Sequence, residues 1–158
     1  MKIGFEMRLV LVFCLLCVCP FPSYGEPGRG DVALGVNFPG FGARCFLSDR
    51  TALELKGQFE TNAMVGGLRG YYYFSRKSKC PLFAGLEGDY VKFKGDSSKG
   101  TGLAAELFVG GEYFFAKRLS FQLDLGPTLV SLDDKDTSES VNGLEYVANF
   151  GINYYFGR

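Results

Sequence analysis

Past Gly30, apolar and polar positions alternate with period two along most of the chain, and no stretch sustains a 3.6-residue period. In "LAAELFVGGEYFF", Leu103, Ala105, Leu107, Val109, Gly111, Tyr113 and Phe115 share one face, against Ala104, Glu106, Phe108, Gly110 and Glu112 on the other. "LFAGLEGDY" (82–90) and "LSFQLDLGPTL" (119–129) divide in the same way, each with one apolar face and one mixed, charged face. Turn residues between these runs predict strands at 31–38, 41–48, 51–60, 63–75, 81–93, 102–115, 119–131 and 143–156. The segment "FPGFG" (38–42) reads either as a tight hairpin, giving eight strands, or as a kink in one longer strand, giving seven. An antiparallel barrel with both termini on one side needs an even number. The expected fold is therefore all-β: a single closed up-and-down antiparallel barrel of about eight strands.

Alternation does not say which face points inward. A secreted soluble barrel buries its apolar face around a ligand, whereas a membrane barrel turns that face to lipid and encloses the charges. Three features favour the second. The strands are mostly long enough for the ~9–11 residues of a tilted membrane crossing. Short basic connections ("LSDR", "SRKSKCP", "AKR") alternate with longer polar ones ("KGDSSKG", "DDKDTSESVNG"), as periplasmic turns alternate with external loops. Glycines recur beside bulky residues on the mixed face, as a narrow packed lumen requires.

Aromatic clusters recur three times, in "RGYYYFSRK", "GEYFFAKR" and "NFGINYYFGR", each after a glycine and before a basic residue. In the eight-strand reading Tyr72, Phe74, Tyr113, Phe115, Tyr154 and Phe156 close three strands that run in the same direction, with Phe121 near the same rim. These are candidates for an aromatic girdle at the periplasmic membrane interface. The closing strand carries Asn149, then Gly151, then Tyr154 and Phe156 spaced by one. That motif resembles the C-terminal assembly signal of bacterial outer-membrane β-barrels, and over residues 26–158 the chain resembles the small eight-stranded members of that family. Gly157 and Arg158 follow Phe156, where the family usually ends on the aromatic. The resemblance implies that the barrel assembly machinery recognises the last strand, and that the protein sits in the outer membrane of a Gram-negative bacterium.

The N-terminus fits that destination. "MKIGFEMR" is basic, "LVLVFCLLCVC" is an apolar run too short to span a bilayer as a helix, and "PFPSYG" ends in small residues. Residues 1–25 read as a cleaved secretory signal peptide, leaving one domain, 26–158. The whole chain has 17 basic and 17 acidic residues; without Lys2, Arg8 and Glu6 a net charge near −1 remains, too little to recruit nucleic acid. Of five cysteines only Cys45 and Cys80 lie beyond the leader, and nothing in the sequence fixes their distance.

With the apolar face outward, the lumen would hold Arg44, Lys56 and Arg69 among Glu54, Glu87, Asp89, Glu106, Glu112, Asp124 and Glu145. Eight strands leave room only for side chains, so these charges must pair or stay hydrated. If the 75–81 turn sets Phe74 opposite Leu82, Arg69 falls opposite Glu87 and Tyr71 opposite Gly85. An Arg69–Glu87 ion pair is therefore expected. Pro127 removes a ladder donor in the seventh strand and is expected at a bulge or near the external rim. Arg50, Arg76, Lys77, Lys79, Lys117 and Arg118 could hold anionic lipid heads or be ordinary solvated turns.

The chain contains no His, which excludes a Ser-His pair and His-bound zinc. No Walker-type loop is present, no cofactor is expected, and the reading is of a non-enzyme. The expected role is structural or surface-interacting, with membrane lipid and the assembly machinery as partners. The acidic 132–142 loop is a candidate surface contact, and a monomer is expected. Two alternatives stay open: a narrow porin-like pore for ions or small solutes, and a secreted soluble barrel holding an apolar ligand.

Overall fold

The computed structural model describes residues 27–59, 61–74, 80–94, 99–134 and 140–156. The expected signal peptide, the basic turn with Arg76, Lys77 and Lys79, and residues 135–139 of the 132–142 loop lie outside these residues. Among the described residues the strands are β1 (Val32–Phe38), β2 (Phe41–Phe46), β3 (Thr51–Phe59), β4 (Ala63–Tyr73), β5 (Leu82–Lys94), β6 (Lys99–Ala116), β7 (Leu119–Asp134) and β8 (Ser140–Phe156). Each pairs antiparallel with the next, and β8 pairs with β1 to close the barrel. Closure leaves the sheet without a continuous free edge.

"FPGFG" is the hairpin, not the kink. Gly40 has φ +102°, and a Cβ there would collide with the Gly57 carbonyl oxygen, so this position accepts only glycine. The hairpin is also low. β1 ends with Phe38 opposite Phe150, and β2 begins with Phe41 opposite Gly57. Above Phe150, β8 is paired with β7 alone, so the wall is notched between β3 and β8.

At the end of the barrel away from the termini, β6, β7 and β8 run about three residues beyond the apolar pattern that predicted them. Lys99, Thr101, Ser131, Asp133 and Asn142 alternate outward there. The backbone ladder needs no apolar side chains, so it continues past the end of the apolar band. Pro127 is at no bulge. The β6–β7 pairing skips from Glu106–Thr128 to Val109–Leu125 with the register unchanged, and the register shift lies instead between Phe114 and Ala116. The missing donor is accommodated by an interruption of the ladder on the β6 side.

Following paired residues once round the barrel from Gly143, through Val130, Ala104, Asp89, Gly67, Lys56, Gly42 and Gly35, returns to β8 at Asn153. The two ends of this path differ by ten residues (153 minus 143). Such a stagger goes with strands tilted by ~35–45°. Every inward row of side chains therefore climbs as a spiral from the end that holds the termini toward the open end.

The lumen at the terminal end is filled by rings. Phe46, Tyr71, Tyr73, Phe83, Phe108, Phe114 and Tyr155 are buried together with Ala33 and Ala52. Tyr71 meets Phe83 and Phe108 edge-on at 5.3 Å each, the arrangement that aromatic quadrupoles favour. Gly85 stands between Tyr71 and Phe108 in register, and a Cβ on it would collide with the Phe108 ring and the Gly70 carbonyl. Gly85→Leu is expected to destabilise the barrel by about 1–3 kcal/mol through overpacking, read as a lower urea midpoint of the refolded protein. An unchanged midpoint would mean the rings are not packed as described.

Candidate functional site

The inward-facing charges arise from register. One spiral row of paired residues reads Tyr155, Ala33, Arg44, Glu54, Arg69, Glu87, Glu106, Thr128, Glu145. Opposite charges thus meet across three successive strand pairs, where directly opposed side chains are close enough to interact. Arg69 stands opposite Glu87 and Tyr71 opposite Gly85, and Phe74 N–H donates to Leu82 O at 2.9 Å, the register the turn length required.

Arg44, fully enclosed, is the centre of the network. It donates to Glu54 Oε2 from Nε (2.7 Å) and Nη2 (2.5 Å), to Gln122 Oε1 (2.5 Å), and to the hydroxyls of Tyr71 (3.0 Å) and Tyr73 (2.9 Å). Its plane also lies over the Tyr71 ring at 4.1 Å. Across the barrel Arg44 Nη1 reaches Glu112 Oε2 at 3.4 Å. Glu112 collects the Tyr73 hydroxyl (2.9 Å), the Tyr155 hydroxyl (2.6 Å), Asn153 Nδ2 (3.2 Å) and the Ser120 hydroxyl. A buried carboxylate is tolerable only when its lone pairs are satisfied in this way.

Arg69 forms a second centre. Its Nη2 donates to Asp124 Oδ1 at 2.7 Å, and its Nε is 2.7 Å from Glu87 Oε2, an ion pair whose angle falls outside hydrogen-bond geometry. Its guanidinium lies 4.0 Å over Phe108. Lys56 Nζ binds the other Glu87 oxygen at 2.7 Å. Gln122 and Asn149 complete the shell of Asp124, at 2.8 and 3.1 Å.

Two expected positions differ. Glu145 is on the inward side but is exposed and makes no ion pair among the described residues. It lies above Phe150, where β8 has no β1 partner and the lumen is open. Tyr113 shares the outward alternation of Phe115 yet is only 6% exposed. The ladder continues past the start of β5, with Glu112 N–H donating to Pro81 O, and buried Cys80 and Pro81 flank Tyr113 on one side while Phe121 pairs with it on the other. Tyr113 is therefore a covered residue of the wall.

Tyr72, Phe74, Phe115, Tyr154 and Phe156 are exposed on the outer face at the terminal end, and Phe121 is half-buried. Tyr154 and Phe156 pack edge-on at 4.9 Å, and so do Tyr72 and Phe74 at 5.8 Å. The motif of the closing strand divides between the faces: Asn149 and Gly151 point inward, Tyr154 and Phe156 outward. Cys45 is exposed and Cys80 is buried, and no disulfide joins the two.

Sequence reading missed two groups. One is the uncharged half of the network: Asn37, Tyr71, Tyr73, Ser120, Gln122, Asn153 and Tyr155. The alternation that turned Tyr72 and Tyr154 outward already turned Tyr71, Tyr73 and Tyr155 inward. The other is a second outward aromatic set toward the open end, with Phe38 stacked on Phe150 at 5.2 Å, Phe41 on Phe59 at 5.7 Å, and Tyr90 and Tyr146 exposed. Phe38, Phe41 and Phe59 stand at strand ends beside turns, which was the available signal, whereas Tyr90, Tyr146 and Phe150 lie within their strands.

The solved N-terminal β-barrel domain of Pseudomonas aeruginosa OprF is similar to this chain with a TM-score of 0.52 and 17% identity, over 82% of this chain and 100% of that one. The two share a fold. No protein-family model and no curated protein matches the sequence. The OprF-like barrel thus rests on architecture, and the identity of its lumen on this chain's own residues.

Arg44→Ala would leave Glu54 and Glu112 enclosed without their cation, a loss expected to cost about 3–5 kcal/mol of unfolding free energy. Lys56→Ala should cost distinctly less, because among the described residues Lys56 pairs with Glu87 alone and Arg69 still faces that carboxylate. Denaturant titration of the two variants checks the order; equal losses would contradict it.

Proposed function

We propose that this chain is an integral outer-membrane barrel with a closed lumen and a structural or surface-interaction role. The observation that carries the reading is the outer face. Val36 is 74% exposed, Leu55 67%, Leu86 65%, and Leu103 and Leu129 64% each. They belong to an apolar band around the barrel wall, while Arg44, Arg69, Glu54 and Glu112 are sealed inside. A soluble barrel has the reverse arrangement, and so large a continuous apolar surface calls for a lipid environment. Outward aromatics toward both ends of the band support the same reading, since rings with an apolar body and a polar tip favour the two membrane interfaces. The closing-strand motif supports the outer membrane in particular, with the assembly machinery as the partner of β8.

The pore alternative draws support from the acidic excess in the lumen. Against it stand the aromatic packing at the terminal end and the Arg44 and Arg69 contacts, which leave no evident path for a hydrated ion. The absence of His from the sequence supports a non-catalytic role. Arg50, Lys117 and Arg118 lie at the terminal end, with Arg118 Nη1 3.3 Å from the Tyr154 hydroxyl. They are placed to meet lipid head groups, and the 132–142 loop remains the candidate surface contact.

Single-channel recording of the refolded protein in planar bilayers, with circular dichroism confirming β structure, tests the closed lumen. Insertion without discrete conductance steps is expected; cation-selective steps would overturn it in favour of the pore. For the closing strand, Phe156→Ala is expected to lower the yield of membrane-inserted barrel several-fold. A normal yield would remove the support that the terminal motif lends to outer-membrane assembly.

A further inference from the structure

The charged row alternates in sign through Arg44, Glu54, Arg69 and Glu87, and then breaks. The next member, opposite Glu87, is Glu106. Two carboxylates directly opposed across a strand pair repel each other. Both oxygens of Glu87 already face cations, Lys56 and Arg69, whereas Glu106 makes no ion pair among the described residues. Glu106 is only 4% exposed and its Oε1 has no hydrogen-bond partner; Thr128, its neighbour in the row and 5% exposed, has an unpartnered Oγ1. Asp89, one inward row away, has an unpartnered Oδ1 as well. Counted over the enclosed charges, Arg44, Lys56 and Arg69 face Glu54, Glu87, Asp89, Glu106, Glu112 and Asp124, so the lumen is short of cations and the shortage falls at this corner.

Over the same corner lies a cavity of about 950 Å³. Six successive strands, β3 to β8, surround it, and its inward-facing lining is Lys56, Gly67, Asp89, Ala104, Val130 and Gly143. Glu106 and Thr128 lie one inward position deeper than Ala104 and Val130 on the same strands, below that lining. Small apolar walls above these unpartnered groups, at a volume typical of small-molecule sites, define a ligand chemistry. Unpaired buried acceptors of this kind are costly to leave unmade, and a donor that brings positive charge satisfies them best.

We propose that this chamber binds a small organic cation, a primary ammonium on a short apolar body, with the ammonium on Glu106, Asp89 and Thr128 and the body against Ala104, Val130 and Gly143. An ammonium offers three donors and one charge, matching three acceptors and an uncompensated carboxylate. Among the described residues no group of three or more acidic, Cys or His side chains is arranged to hold a metal ion. Lys56, the cation in the lining, is engaged by Glu87. The proposal goes beyond the structural role above and does not depend on it.

The test is calorimetric titration of the full-length protein, expressed, purified and inserted in zwitterionic lipid nanodiscs, with hexylammonium, with hexanol and with Ca²⁺. Saturable binding of hexylammonium is expected, with hexanol weaker by about tenfold or more, since the alcohol lacks the charge-assisted contact, and no Ca²⁺ binding. Glu106→Gln should weaken hexylammonium by a similar factor. Gly143→Phe keeps every carboxylate and should also abolish binding by filling the chamber; a Cβ at Gly143 meets nothing within 4 Å, and circular dichroism of the variant checks that the barrel still forms. If Glu106→Gln fails to fold, Asp89→Asn at the half-buried site serves instead. No saturable hexylammonium binding by the folded wild type, equal binding by the variants, equal affinity for hexanol, or Ca²⁺ competing for the same site would each overturn the proposal.

Discussion

Closure of the barrel is the constraint from which the rest follows. Once β8 pairs with β1 at a ten-residue stagger, the interior is only wide enough for side chains, and every second residue of eight strands must enter it. Charges brought inside meet opposite charges or face a large desolvation penalty. The spiral row from Arg44 to Glu87 is the solution, with Arg44 tied at once to its neighbour Glu54 and to Glu112 across the lumen. Besides its neighbour β3, Arg44 contacts side chains from β4, β6 and β7, so this one guanidinium links β2 to strands with which it shares no backbone ladder.

The same closure divides the lumen by height. At the terminal end, rings and their hydroxyls fill the space, and Tyr71, Tyr73 and Tyr155 serve twice, packing as aromatics and donating to Glu54 or Glu112. At the other end the short β1–β2 hairpin lowers one side of the wall, so that side chains such as Glu145 lose their opposite number and become exposed. Rigidity and polar satisfaction are therefore concentrated where the termini meet, and open volume where the longer connections emerge. A barrel arranged in this way seals one end and offers a chamber at the other.

Much of this was legible in the sequence, because a period-two code and a tight register leave few choices. Alternation separated the faces, and the length of one turn set Arg69 against Glu87. It failed where another effect outweighed side-chain pattern. β6 to β8 continue as backbone ladders beyond their apolar residues, so polarity marked the end of the apolar band rather than the end of the strand. Tyr113 follows the outward alternation but is covered by the chain entering β5, which no local pattern reveals. The uncharged members of the network escaped notice because Gln122, Asn153 and Ser120 acquire their importance only from the carboxylates that other strands bring to them. The break in sign at Glu106 was likewise invisible, since it depends on the pairing of five strands in succession.

The central claim, that a sealed polar network links opposite walls of the barrel, is tested most directly by a double-mutant cycle between Arg44 and Glu112, using Arg44→Met and Glu112→Gln and the unfolding free energies of the four proteins. The account predicts that the two losses fail to add, with a coupling of about 1–3 kcal/mol. Additive losses, with coupling near zero, would contradict it and would mean that the two walls are held together by the backbone ladder alone.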